Sequence, residues 1–258
     1  MEASHFQQAS SANIEAMDAI LERARVPREV RAILRDGLTA LGANGFEYPW
    51  NGLEEVVANT LDGKLLLVGY GSLLNRDSAV ETIKDTPREG HPPVLALGAR
   101  RVFNYVMPEA ELKSYGVNFS PRERAALNVD YSRSPADAVN GRLLTVGPVD
   151  IAALREREFG YDLRPVVCMR WGEWKVAPFT AYVLVAVEGT RDGRQVIDND
   201  ALPHPLYAGL CRAGAHAVSE AFLQLYLQTT FLADRKISLF EWEKEHPEVA
   251  QEPPFEGK

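Results

Sequence analysis

Cysteine is scarce in this chain: Cys168 and Cys211 are the only two among 258 residues. One pair cannot supply the disulfide framework of a small secreted scaffold, and both thiols are expected to be reduced. Long apolar runs are missing too. None approaches the roughly 20 residues that a membrane-spanning helix needs. The first residues, MEASHFQQASS, lack the basic start and apolar centre of a signal peptide. A soluble cytoplasmic protein with no membrane partner is expected. Positive charge is in deficit, with 28 Lys and Arg against 36 Asp and Glu. Phosphate binding needs clustered cations, so no nucleic-acid partner is expected. The five histidines, His5, His91, His204, His216 and His246, show no zinc-ligand spacing. Asp198-Asn199-Asp200 lacks the other ligands of a calcium loop and reads as a solvated acidic turn.

What is present is ordinary for a globular protein: 46% hydrophobic and 25% charged residues, in a chain long enough to bury a sizeable core. The first residues are polar. A helix is expected after Ser11, with Ile14, Met17, Ile20 and Leu21 on one face. A second follows Pro27, with Val30, Ile33, Leu34, Leu38 and Leu41 as its stripe. Residues 52–61 suggest a third, short helix. This extension, residues 1–62, is expected to serve packing or to join copies in a homo-oligomer.

From Leu65 the apolar runs become short and β-rich: 65–68, 94–97, 101–106, 127–131, 142–146, 165–171 and 181–187. Turn signals separate them, and few helical segments intervene between Ala99 and Val149. That favours a mixed or antiparallel sheet over a doubly wound one. A long helical pattern returns over 206–231. Residues 63–235 read as the main domain and 236–258 as a charged tail, partly mobile. Arg100-Arg101 reads as a pair of strand-edge charges or as a carboxylate-binding pair.

Two stretches carry chemistry. In Leu65–Asn75, LLLVGYGSLLN, an apolar strand breaks at Gly69-Tyr70-Gly71-Ser72 and a helical pattern follows. Free backbone N–H groups at such a helix start suit an anion or a developing oxyanion. The spacing excludes a Walker loop, which ends in Lys-Ser or Lys-Thr, and a dinucleotide fingerprint, whose third glycine is Leu74 here. A turn that serves only backbone geometry remains an alternative.

The second stretch, Asp150–Gly160, reads as a short capped helix, with Asp150 as N-cap and Gly160 at the C-terminal turn. Helical steps place Glu158 on the same face as Ile151 and Leu154, with Glu156 opposite. A carboxylate on an apolar face loses hydration, and its pKa rises towards the range useful for proton transfer. The alternative is a structural carboxylate paired with Arg157, Arg164 or Arg170.

Together these stretches resemble the γ-glutamylcyclotransferase-like superfamily. The residues that carry the resemblance are Tyr70-Gly71-Ser72-Leu73 after the first strand and Glu158 after Leu154-Arg155-Glu156-Arg157. Ala126-Leu127-Asn128-Val129 and Asn140-Gly141-Arg142-Leu143-Leu144 are similar to its middle strands. Pro205-Leu206-Tyr207, followed by Gly214-Ala215, is similar to its late tyrosine and helix. The likeness spans about Gly63 to Phe231. Arg155 stands where many members have Asp, and Leu73-Leu74-Asn75 differs from each branch's continuation.

The resemblance implies an α+β fold, a small mixed or antiparallel barrel-like sheet flanked by helices. It implies an enzyme that cyclises a γ-glutamyl peptide, amine or glutathione to 5-oxoproline by attack of the substrate's own α-amine. Glu158 would be the acid and base, and no metal or organic cofactor is implied. Tyr70, Gly71, Ser72, Leu73, Tyr207 and Tyr161 would bind the small-molecule substrate. The alternative is a non-catalytic binding or regulatory module on the same fold.

Overall fold

A computed structural model describes residues 11–34 and 63–247, apart from 85, 86, 88, 89, 116–119, 135, 159, 187–189 and 192. The expected positions of Leu38 and Leu41 and the short helix over 52–61 lie outside the described residues, as does the chain end beyond 247.

The helical elements are α1 (Ser11–Arg23), α2 (residues 28–34), α3 (Arg76–Val80), α4 (Glu109–Ser114), α5 (Ile151–Arg157), α6 (Pro205–His216), α7 (Glu220–Thr229) and α8 (Leu239–Glu245). The strands are β1 (Leu65–Gly69), β2 (Pro93–Leu97), β3 (Arg100–Val106), β4 (Glu123–Asp130), β5 (Ala138–Val146), β6 (Tyr161–Arg170), β7 (Phe179–Ala186), β8 (Thr190–Arg191), β9 (Arg194–Gln195), β10 (Leu202–Pro203) and β11 (Thr230–Leu232). Each of the β-rich runs legible in the sequence is a strand.

The expected α+β architecture is present. A closed barrel runs β1-β5-β2-β6-β7, and a four-stranded sheet runs β10-β4-β3-β11. The pairing is mixed. β1 lies antiparallel to β5 and closes the barrel through a parallel contact of Leu67 with Tyr182 on β7. β11 lies parallel to β3. Apolar residues of both sheets, α5, α6 and α7 form one continuous core.

The stripe of the N-terminal helices is used within the chain. Met17, Leu21, Val30 and Leu34 are buried against Leu95 and Leu97 of β2, Val167 and Met169 of β6, and Leu225 of α7. Ile33, placed on the same stripe by the sequence, is 54% exposed.

Three expectations are corrected. The pattern over 206–231 is not one helix. Ser219 adopts extended backbone and its hydroxyl accepts from the Phe222 N–H, which starts α7 afresh, and Thr230 then turns into β11. The stretch expected as a loose charged tail contains α8. Its start is a reciprocal capping box between Ser238 and Glu241, and Leu239 and Trp242 bury its apolar side. Arg101 is no edge charge. β3 is flanked by β4 and β11, and Arg101 is fully buried, donating to Asn140 O (2.6 Å), Asn140 Oδ1 (2.5 Å) and Thr229 Oγ1 (2.9 Å). Its guanidinium lies over the Tyr226 ring, 4.3 Å from the centroid. Arg100 does face outward and pairs with Asp130 at 3.4 Å.

Candidate active site

The glycine turn leaves the barrel at the end of β1. Residues Ser72–Leu74 form a single 3₁₀ turn, and Asn75 then caps α3 by accepting from the N–H groups of Asp77 and Ser78. The first bond within the turn runs from the Leu74 N–H to Gly71 O. The N–H groups of Ser72 and Leu73 therefore precede the hydrogen-bonded ladder, where a helix start presents donors outward. Two contacts require glycine nearby. A Cβ on Gly71 would stand 2.5 Å from the Tyr207 hydroxyl, and one on Gly214 of α6 would stand 2.7 Å from the backbone of Leu74 and Asn75. The missing side chains let α6 press onto the turn and bring Tyr207 over it.

The other half of the site comes from the end of α5. Ile151 and Leu154 are buried, which draws Glu158 inward on the same helix face, while Glu156 is exposed. Glu158 ends α5, and its N–H still donates to Leu154 O. Gly160, at φ +92°, then reverses the chain into β6, where Tyr161 begins. Asp150 sits at the N-cap position as expected, but its side chain does not cap α5; Oδ1 accepts from the Lys84 N–H at 3.0 Å.

These elements meet at one cleft. Tyr70, Gly71, Ser72, Leu73, Glu158, Tyr161 and Tyr207 all line it, together with Val68, Gly69, Leu127 and Leu184. The cleft is narrow, about 20 Å³, which is room for one water. A larger cavity of about 530 Å³ lies beside it, lined by Tyr105, Met107, Leu112, Arg124 and Val196 among others. Tyr105 separates the two, stacked on Tyr161 with centroids 4.5 Å apart. The larger space is mainly apolar, and its Arg124 is already paired with Asp198 at 2.6 Å. Reactive groups converge on the smaller cleft.

The tyrosines there have distinct duties. Tyr70 donates to Leu184 O on β7 (2.5 Å) and Tyr161 to Leu127 O on β4 (2.8 Å), so both hydroxyl protons are committed to backbone carbonyls, one in each sheet. Burial pushes the phenols of Tyr70, Tyr161 and Tyr207 up, which keeps them neutral. Tyr207 is the ring whose hydroxyl overlies the glycine turn.

Glu158 satisfies both readings of the sequence. Its side chain is only 14% exposed, and Oε1 lies 3.3 Å from Arg157 Nε. Burial raises its pKa, and Arg157 opposes the rise. Two further charged residues converge here with a weaker signal in the sequence. Arg157 appears there as one of several arginines able to pair with Glu158 and as part of the stretch that carries the resemblance, with no role of its own. In the fold it donates through Nη1 to Ser78 O (2.6 Å) and Thr82 Oγ1 (2.9 Å), and through Nη2 to Ser72 Oγ (2.9 Å) and Ser78 Oγ (2.8 Å). Glu111, on α4, is not singled out by any pattern in the sequence. Its carboxyl is pushed up to about 7, by burial first and then by the charge of Glu158.

No family model matches the sequence, and no curated protein matches it. Several solved structures do resemble the fold. One named gamma-glutamyl cyclotransferase is 13% identical, with a TM-score of 0.47 over 73% of this chain and 99% of its own. An uncharacterized protein from Homo sapiens is 14% identical, with a TM-score of 0.43 over 76% of this chain and 91% of its own. YkqA from Bacillus subtilis is 12% identical, with a TM-score of 0.45 over 80% of this chain and 60% of its own. Likeness at this level assigns no activity.

Proposed function

We propose that the protein is a cyclotransferase that converts a γ-glutamyl compound into 5-oxoproline and the released amine. The observation that carries this reading is the nearly buried Glu158 carboxylate lining one cleft with the Tyr70–Leu73 turn. The two stretches lie far apart in the chain, and each supplies a different half of the chemistry.

The reaction is intramolecular. The α-amine of the γ-glutamyl group attacks its own γ-carbonyl, a five-membered lactam closes, and the C–N bond to the leaving amine breaks. The nucleophile arrives with the substrate, so a Ser or Cys nucleophile is unnecessary. Cys168 and Cys211 fit this: both are buried, and burial pushes their thiols well up.

Proton transfer falls to Glu158. The amine starts as an ammonium and must lose a proton, and the leaving nitrogen must gain one. A carboxylate raised towards neutrality by burial performs both transfers in turn. Charge that develops on the carbonyl oxygen meets the N–H groups of Gly71, Ser72 and Leu73. Removing one such donor typically costs ~2.7–4 kcal/mol in the barrier. Tyr207 adds a neutral hydroxyl above the same turn. The cleft, at about 20 Å³, has room for one water, so the groups at its rim must part to admit a substrate.

The test is a panel of γ-glutamyl dipeptides, γ-glutamylamines and glutathione, read by 5-oxoproline release. The wild-type protein is expected to turn over at least one class. Glu158→Gln is expected to lower kcat by about a thousandfold or more while its melting temperature stays level or rises. A fully active Glu158→Gln protein overturns the mechanism. Thermal stabilisation by these ligands with no product from the wild-type protein favours a binding module instead.

A further inference from the structure

The geometry points to Arg157 as a positioning residue that ties the glycine turn to Glu158 and holds the turn in place while the carboxylate changes charge. This role rests on the cyclotransferase reading.

Arg157 is next to Glu158 in sequence, yet its guanidinium reaches groups 75 to 85 positions away: Ser72 on the turn, and Ser78 and Thr82 on and just after α3. Four hydrogen bonds from Nη1 and Nη2 go to neutral oxygens, and the contact with the carboxylate is made at Nε. This division matters to the chemistry. When Glu158 takes a proton from the substrate ammonium, the attraction at Nε falls away. The bonds through Nη1 and Nη2 persist, because their acceptors do not titrate. Ser72, whose N–H is a candidate donor to the oxyanion, stays pinned through Oγ at 2.9 Å. A planar fork with a fixed charge suits this task, whereas a lysine ammonium cannot span the same acceptors.

The same cation also acts on the carboxylate. Among the described residues, the titratable groups in electrostatic contact with Glu158 include Arg157 on α5, Glu111 on α4, Tyr70 on the turn, Tyr161 on β6 and Tyr207 on α6. Arg157 opposes the rise that burial imposes. Loss of its charge therefore moves Glu158 to a higher pKa, and the limb of kcat/KM that requires the ionised carboxylate moves to higher pH.

The experiment compares Arg157→Gln, Arg157→Lys and the double variant Ser78→Ala with Thr82→Ala. Readouts are kcat, KM, the pH profile of kcat/KM, and the titration of Glu158 followed by carboxyl ¹³C NMR. Arg157→Gln is expected to lower kcat about ten- to a hundredfold with little change in KM, and to shift both the profile and the titration upward. Arg157→Lys keeps the charge, so the titration stays near that of the wild type while kcat still falls. The double variant loosens the fork alone, lowering kcat without a titration shift. The proposal is overturned if a folded Arg157→Gln protein keeps the wild-type kcat and profile. If that variant does not fold, a wild-type kcat in the double variant overturns it. The NMR arm separates two failures: absence of product from the wild-type protein rejects the reaction, whereas an unmoved Glu158 titration in Arg157→Gln rejects the coupling, with or without turnover.

Discussion

The seam beneath the N-terminal helices and the cleft at the end of β1 are built on opposite principles. In the seam, Met17, Leu21 and Leu34 lie fully buried against aliphatic residues of β2 and β6. Among the described residues it is an apolar cluster, and apolar contact is tolerant of detail and needs no particular orientation. In and around the cleft, Glu158 and its neighbours Glu111 and Arg157 are partly drawn out of water, and phenols that could face solvent are buried. Burying such groups opposes folding unless each finds a partner. On the proposed function, the contrast gives stability to the seam and chemistry to the cleft, and it is breakable by experiment.

Leu21→Ala is the strongest challenge to that division. A fully buried leucine exchanged for alanine typically costs about 2–5 kcal/mol, measured as a lower urea midpoint. The activity per folded molecule is expected to be unchanged, and a fall in kcat would show that the seam also shapes the cleft. Gly71→Ala challenges it from the other side. The new methyl would stand 2.5 Å from the hydroxyl of the buried Tyr207, so the ring or the turn must shift. Overpacking of this kind costs about 1–3 kcal/mol of stability, and 5-oxoproline release is expected to fall about tenfold or more as the donors move. An active, equally stable Gly71→Ala protein would remove the turn from the mechanism.

Glu111→Gln sharpens the comparison most gently. The folded-state pKa of Glu111 is raised to about 7 from an ordinary 4.5. Below the ordinary value both states are protonated and the carboxyl is neutral wherever it lies. As pH rises from there through the raised value, the unfolded chain ionises first, and the wild-type protein loses stability. The variant lacks that loss. Its advantage in unfolding free energy is expected to grow between about pH 4.5 and pH 7 and to level off near 1–2 kcal/mol, allowing for partial solvent screening. A difference that stays flat with pH would place Glu111 in water, away from Glu158.

The legible parts of this molecule are those whose signal is local. Each short β-rich run is a strand, because a buried strand needs only a few consecutive apolar residues between turn signals. The stretch around Glu158 was readable for the same reason: residues spaced by three and four share a helix face whatever lies beyond it. The break in the late helix is not legible in the sequence, because apolar spacing runs through it while the interruption is a single hydroxyl cap at Ser219. The place of Arg101 is not legible in the sequence, because an arginine in a strand looks the same at an edge and in an interior. Its place was decided by β11, which arrives on β3 from more than 120 residues later in the chain.

By itself the sequence determined the strands, the glycine turn at Gly71 and the inward face of Glu158, because backbone periodicity and glycine stereochemistry act within a few residues. Only the tertiary structure decided that these two halves share a cleft. It alone brought Tyr207 over the turn, set Glu111 within electrostatic reach of Glu158, and gave the Arg157 fork its acceptors on Ser72, Ser78 and Thr82. Those relations arise from barrel closure and from the close approach of α6 at Gly214, contacts between distant segments that no local pattern encodes.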